Sequence, residues 1–374
     1  MRSIYLNNAA TSYPKPASVI EAVAAALAAL PGSPGRGGGG GDDPVRRCRG
    51  RVARFLGVRD PARLIFTSGA TESLNLVVRG LPLAGRRLVT TAADHNSVLR
   101  PLHRLHDETG ATIEIVPVEA SGRVSLDALR AAIDSDTALV AVPHGSNVTG
   151  HVLDIAALAL HTRSLGVPLL VDAAQTAGAL PIDVDAWGID YFAFTGHKSM
   201  LGTQGTGGLV ASGPLVPLKV GGTGVLSQSL AQPRELPLRF EAGTPNAPGL
   251  VALEAGVAWI EGEGIDSLHR RKMERAEQLR RGLEAIDKVR LIGRPGELPV
   301  FCFVVDGVPV DELGQVLEES FGVHTRAGLH CAPLIHDSLG ANPQGSIRVS
   351  PSAFTTVEEI EAALAAVDTV ARSW

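Results

Sequence analysis

The chain has 374 residues, 45% of them hydrophobic and 20% charged, with a formal net charge of −5. That length supports more than one core, so one large and one smaller domain are expected, and charges of both signs mixed along the chain exclude a nucleic-acid or anionic-membrane surface. Three cysteines, Cys48, Cys302 and Cys331, form an odd set without CxxC spacing, which argues against a disulfide framework or zinc site and for a reducing, cytoplasmic setting.

The N-terminal MRSIYLNNAATSYPKP carries no basic-then-apolar signal pattern. PGSPGRGGGGGDDP, residues 31–44, is the low-complexity element and is expected to form a mobile loop, because glycine carries little intrinsic order. From 60 to 215, short runs rich in β-branched residues and leucine recur: RLIFTS, RRLVTT, TIEIVPV, TALVAVPH, PLLVDAA, DYFAFTG and GGLVAS. Helical stretches such as ESLNLVVRGL, SLDALRAAI and DIAALALHTRSLG lie between several of them. This alternation predicts an α/β fold with a mostly parallel sheet covered on both faces. An amphipathic stretch from Val251 to Ile286 is expected to cross into the second domain. Beyond it LPVFCFVVDG, DELGQVLEESFG, GSIRVSPSAF and TVEEIEAALAAVDTV read as a small α+β unit. Every alanine- and leucine-rich run is broken before the ~20 residues a membrane span needs.

In open α/β sheets, ligands gather at the carboxyl ends of the strands. After LIF come Thr67 to Glu72 and a helix, where a glycine turn, the next amides and the Thr71 hydroxyl suit a phosphate or form a plain N-cap. After LVTT comes His95, which stacks on a planar ligand, moves protons, or joins Asp94 in capping a helix. The glycine-bounded turn 145–150 offers the Asn147 amide, and turn chemistry explains it equally well. Asp172 ends PLLV, where a carboxylate is costly unless it caps a helix or meets a cation or hydrogen-bond donors. Lys198 follows YFAF: a lysine held against apolar neighbours becomes an amine nucleophile, while a solvated lysine is ordinary. An anion cradle, a flat-ring neighbour, an amide, a carboxylate and a lysine on one sheet edge are the parts that pyridoxal 5'-phosphate (PLP) needs.

The chain resembles class V aminotransferase-fold enzymes and, more narrowly, the cysteine desulfurase family. The resemblance rests on YLNNAATS (5–12), FTSGATESLNL (66–76), DHNSV (94–98), GSNVTG (145–150), VDAAQTAG (171–178), FTGHKSMLGTQGTGGL (194–209), FEAGTPN (240–246) and TRAGLHCAPLIH (325–336). It implies the PLP-dependent transferase fold type I. A large domain with a mainly parallel seven-stranded sheet would span 12–255, a small α+β C-terminal domain 256–374, and segment 1–11 would pack near the small domain. The resemblance also implies roles. Lys198 would form the Schiff base and move the Cα proton, Asp172 would pair with the pyridine nitrogen, and Gln175 would hydrogen-bond the phenolic oxygen. His95 would stack on the ring. Ala70, Thr71, Thr195 and His197 would hold the phosphate, with Thr244 reaching in from a second subunit, so a homodimer is implied. Asn147 would touch the substrate side of the ring, and Arg348 would clamp the substrate carboxylate with its planar fork.

Cys331 discriminates among the reactions such a site supports. Cys302, inside PVFCFVV, reads as a small buried hydrophobe, whereas Cys331 in AGLHCAP lies in a polar-flanked loop. A positive charge from Arg326 or a protonated His330 would favour its thiolate. In the family this position attacks the substrate sulfur, forming an enzyme persulfide and releasing alanine. The expected reaction is therefore L-cysteine to L-alanine, with a sulfur-acceptor protein downstream. A C–S lyase or selenocysteine lyase acting by elimination is the alternative, with selenocysteine, cysteine sulfinate or a thioether as other substrates. The loop GRGGGGGDDP departs from the family by lacking the usual polar residue, leaving Arg36 as its substrate contact.

Overall fold

The computed structural model describes residues 3–29, 43–341 and 343–374. Arg36 and most of the glycine-rich segment thus lie outside the described residues. The chain opens with β1 (Ile4–Tyr5), α1 (Ala17–Ala28) and α2 (Pro44–Phe55). Strands and helices then alternate through β2 (Leu64–Thr67), α3 (Ala70–Gly80), β3 (Arg87–Thr91), α4 (Asn96–Thr109), β4 (Thr112–Val116), α5 (Leu126–Ala132) and β5 (Thr137–Pro143). The series continues with α6 (Ile155–Ser164), β6 (Leu169–Asp172), α7 (Val184–Trp187), β7 (Tyr191–Thr195) and β8 (Gly207–Ala211). Helices α8 (Ala247–Glu263) and α9 (Ile265–Glu284) lead to β9 (Val289–Ile292), β10 (Phe301–Val305), α10 (Val310–Phe321), β11 (Val323–His324) and β12 (Arg326–Gly328). The last elements are α11 (Pro333–Ser338), β13 (Ser346–Val349) and α12 (Val357–Ser373).

Seven strands form one sheet in the order β2-β8-β7-β6-β5-β3-β4. Only β8 runs against its neighbours; the other pairings are parallel. Successive side chains leave a strand on opposite faces, so a continuous apolar run feeds two cores. Val140, Val142, Phe192 and Phe194 enter one core with Val52 of α2 and Leu56 just beyond its end. Leu139, Ala141, Tyr191 and Ala193 enter the other with Leu74 and Val77 of α3. Each fully buried Val, Leu or Phe contributes about 1.5–3 kcal/mol. The sheet is therefore fixed from both sides, and its exposed carboxyl edge is a rigid mount for loops.

The amphipathic stretch 251–286 is two helices rather than one. Gly264, at φ 79°, ends α8 with its amide on Ile260 O at 3.0 Å, and α9 starts in a new direction. Left-handed backbone there favours glycine. The later elements build an antiparallel sheet in the order β12-β13-β10-β9. Its core joins Phe301, Phe303 and Ile347 to Leu313, Leu317, Ile360 and Val367 of the covering helices. Ile4 and Leu6 belong to this same core, and β1 pairs in parallel with β11. The first residues therefore lie against the last third of the chain and carry Asn7, Asn8 and Ala9 toward the sheet edge. Among the described residues, no helix is long and apolar enough to cross a membrane.

Candidate active site

A cavity of 440 Å³ lies at the carboxyl edge of the large sheet. The turns after β2, β3, β5, β6 and β7 wall it, and Arg326 and Arg348 reach it from β12 and β13. In strand order the helix start of α3 comes first, then Lys198, then Asp172, then Asn147 and His95.

The α3 end is built as an anion cradle. Gly69 has φ 151° and ψ 177°, a conformation open essentially to glycine. It turns the chain so that Ala70 and Thr71 begin the helix. No acceptor among the described residues meets their two amides, the orphan donors that a helix start leaves. The Thr71 hydroxyl lies 2.9 Å from Ser97 Oγ. Glu72, in the same turn, is neutralised by Lys219 at 2.7 Å and by the Ser68 amide and hydroxyl, each at 2.7 Å.

Lys198 follows β7 in a tight turn stapled by the amides of Gly196 on Thr206 O and Gly202 on Gly196 O, both 2.8 Å. Ser12 Oγ donates to Lys198 O at 2.8 Å, and Lys15 Nζ donates to His197 O at 2.9 Å, so the N-terminal segment holds the turn. Burial pulls the Lys198 amine down to about 8, against the opposing attraction of Asp172. Asp172, also buried, accepts from the Ala174 amide at 2.9 Å; burial raises its pKa, and Lys198 lowers it. Gln175 Nε2 donates to Ala9 O at 3.1 Å.

Burial, then the charge of Lys198, brings His95 down to about 4, so its ring is neutral. Its Nδ1 accepts from the Ser97 amide at 3.0 Å, which leaves the hydrogen on Nε2. Asp94 fixes this turn, accepting at Oδ2 from Thr90 Oγ1, Thr91 Oγ1 and the Thr91 amide at 2.7–3.0 Å. His197 is likewise neutral, brought to about 4 by burial and by Lys198. Thr195 Oγ1 donates to Thr206 O at 3.5 Å.

Arg348 is 1% exposed. Its Nη1 donates to Asn147 O and its Nη2 to Asn7 Oδ1, both at 3.2 Å, and its Nε has no partner among the described residues. Among the described residues no carboxylate pairs with it. A buried guanidinium held only by neutral groups is costly, and an incoming carboxylate would remove that cost.

Cys331 stands one residue behind the cavity wall. Arg326 Nη2 donates to its Sγ at 3.2 Å. Asn147 Nδ2 donates to His330 O at 2.8 Å, so its amide holds the cysteine loop. A protonated His330 does not supply charge here: it is 2% exposed, and burial and Arg348 lower its pKa well below the usual histidine value. The charge beside the thiol is that of Arg326. Cys302 is fully buried, its thiol donating to Val148 O at 3.3 Å. Thr244 lies apart from these residues, in a neighbouring cleft of 230 Å³ with Lys219, Phe240 and Glu241. Ser68, Glu72 and Gly205 are common to both walls.

The residues fit PLP. A buried carboxylate suits a pyridinium, a buried amine suits an aldehyde, and the open amides of α3 suit a phosphate, in that spatial order. Sequence reasoning missed Ser12, Asn7 and Ser346, which are single neutral polar groups, and Lys15, which reads as an ordinary solvated lysine until folding brings it to the His197 carbonyl. The polar string NNAATS beside an apolar strand was the available signal for the first residues.

The family model described as aminotransferase class V matches residues 4–363. A probable cysteine desulfurase from Halobacterium salinarum is 33% identical, covering 98% of this chain and 91% of that protein. The apo structure of a cysteine desulfurase from Thermococcus onnurineus NA1 is 30% identical with a TM-score of 0.92, covering 100% of this chain and 95% of the other. A C-DES variant with glycine covalently linked to its PLP cofactor is 25% identical with a TM-score of 0.81, covering 98% and 96%. The chain belongs to the class V aminotransferase family, within its cysteine desulfurases.

Proposed function

We propose that this protein is a PLP-dependent cysteine desulfurase that converts L-cysteine to L-alanine and takes the sulfur onto Cys331. The carrying observation is the thiol of Cys331 held 3.2 Å from the Arg326 guanidinium behind the wall of a cavity that contains Lys198 and Arg348. PLP, when bound, supplies the electron sink that lets the Cα proton leave and weakens the C–S bond.

The chain's own residues do the rest. Asp172 holds the ring nitrogen, Gln175 the phenolic oxygen, and His95 covers the ring face. Ala70, Thr71, Thr195 and His197 hold the phosphate, and the uncharged imidazoles leave the negative charge to the helix start. Arg348 binds the substrate carboxylate, and Asn147 orders the substrate side of the ring. The Lys198 amine, depressed by burial, removes and returns protons near neutral pH. The Cys331 thiolate attacks the substrate sulfur. An S–S bond forms as the C–S bond breaks, the electron pair stays on the carbon fragment, and protonation gives alanine. Arg326, donating to Sγ at 3.2 Å, holds the sulfur in place for that attack.

Thr244 is exposed and follows a segment that exposes Val216, Val220, Leu226 and Leu230. A homodimer covering that segment would bring Thr244 to a second subunit's phosphate site. The division into a large domain over 12–255 and a small one over 256–374, the Arg36 contact, a sulfur-acceptor protein and a cytoplasmic location are parts of the same reading. Three free cysteines support the last of these.

Product analysis with L-cysteine tests the reaction. The enzyme is expected to release L-alanine, and Cys331→Ala to lose alanine formation while keeping its PLP absorbance. Pyruvate and ammonia as products, or full activity in Cys331→Ala, would replace desulfuration with elimination.

A further inference from the structure

The loop that carries Cys331 has a costly backbone. His330 and Cys331 have φ of 53° and 59°, two successive non-glycine residues in the left-handed region. Such residues are strained and persist only where their surroundings over-determine them. Three carbonyls of the loop are pinned. His330 O accepts from Asn147 Nδ2 at 2.8 Å, Cys331 O from the Asn96 amide at 2.7 Å, and Ala332 O from His336 Nδ1 at 2.9 Å. The His330 ring is pinned too: its Nε2 lies 3.1 Å from Ser346 Oγ, which lies 3.0 Å from His336 Nε2.

The hydrogen positions follow from these partners. A carbonyl oxygen only accepts, so His336 carries its hydrogen on Nδ1. Burial keeps both imidazoles neutral. His336 Nε2, 3.0 Å away, is then a bare acceptor and takes the single hydroxyl hydrogen of Ser346 in preference to the neighbouring Cys302 sulfur, a weak acceptor. Toward His330 the Ser346 oxygen accepts, so His330 carries its hydrogen on Nε2. That assignment leaves His330 Nδ1 bare, the same nitrogen that is buried without a partner among the described residues. The chain runs from His330 through Ser346 and His336 to the Ala332 carbonyl. It starts and ends on the two residues that flank Cys331.

We propose that His330, Ser346 and His336 are positioning residues for sulfur transfer, a closed hydrogen-bond circuit that clamps both neighbours of Cys331 and holds its thiol at Arg326 beside the cavity. Ser346 and Arg348 are two residues apart on β13 and share a face. One strand thereby sets the separation between the carboxylate clamp and the thiol. The circuit's part in catalysis rests on Cys331 being the sulfur acceptor; its geometry does not.

The test uses PLP-loaded enzyme labelled with ¹⁵N-histidine. Ring NMR is expected to show His336 as the Nδ1–H tautomer and His330 as the Nε2–H tautomer. Ser346→Ala breaks the circuit at its centre and is expected to speed deuterium exchange across residues 329–333. Its kcat for alanine should fall about 10-fold or more with KM within about 2-fold, the size expected for stranding buried hydrogen-bond partners. His330→Gln, whose amide keeps a donor for Ser346, should retain kcat within about 3-fold. A proton on His330 Nδ1, or Ser346→Ala with wild-type kcat and exchange, would overturn the circuit. If the wild-type enzyme makes no alanine, the function reading fails, and the tautomers and exchange rates still decide the circuit.

Discussion

Burial and then the nearby charge of Arg326 weaken the hold of Arg348 on its proton, yet the two arginines have different partners and different work. Among the described residues Arg348 donates hydrogen bonds only to neutral oxygens, so substrate binding is where its charge is used. Arg348→Gln is expected to raise KM for L-cysteine about 10- to 100-fold, the loss of a charged hydrogen-bonded pair. Steady-state kinetics check this, with PLP absorbance unchanged. Arg326 touches the sulfur instead. Arg326→Ala should lower kcat about 10-fold or more and leave KM within a few-fold, since one charge-assisted contact to the thiolate is removed. The reverse pattern, KM rising and kcat intact, would assign Arg326 to the carboxylate. Arg326 was legible as a positive charge a few residues from Cys331, and Arg348 through the family resemblance. Ser346 was not: one hydroxyl in GSIRVS has no local signature, and its meaning comes from two imidazoles that only folding brings to it.

At the scale of elements, the large sheet was readable because each buried strand needs β-branched or large apolar residues on both faces. The runs from RLIFTS to GGLVAS became β2 to β8. Two features escaped that reasoning. Periodicity does not register the direction change at Gly264, because α8 is apolar around much of its surface and α9 is amphipathic. The pairing of β1 with β11 joins residues more than three hundred positions apart, beyond any local pattern. The turn between β2 and α3 depends on β8: a Cβ on Gly207 would lie 2.5 Å from Gly69 Cα and 2.6 Å from Phe194 O. Both obstacles are backbone, so Gly207→Ala must push β8 away from the anion cradle. The variant is expected to lose about 1–3 kcal/mol of stability and to bind PLP more weakly. Denaturant unfolding and PLP titration measure the two effects, and unchanged values would show that the cradle tolerates displacement.

For the whole molecule, pH reveals how much of the interior is built on neutral imidazoles. Burial brings His95, His144 and His197 each to about 4 from an ordinary 6.5, and lowers His330 well below that ordinary value. Between those values the unfolded chain binds protons that the native protein refuses, so stability falls as pH drops from about 6.5 toward 4. Asp94 and Asp172, both raised by burial, act oppositely by holding protons that the unfolded chain has released. Burial also lowers His151, His269 and His336 and raises Asp190, so seven histidines against three carboxylates leave a net loss toward acid. Denaturant midpoints between pH 4 and 7 should decline in that direction, and a flat or rising profile would contradict the burial of these rings. The widest claim is that one molecule joins a lysine-centred PLP site to a thiol that accepts sulfur. It is tested most directly by weighing the Cys331 peptide after a single turnover with L-cysteine, while alanine is counted. The expected result is one sulfur atom gained on Cys331 for each alanine released. An unmodified Cys331, with pyruvate and ammonia in place of alanine, would contradict it.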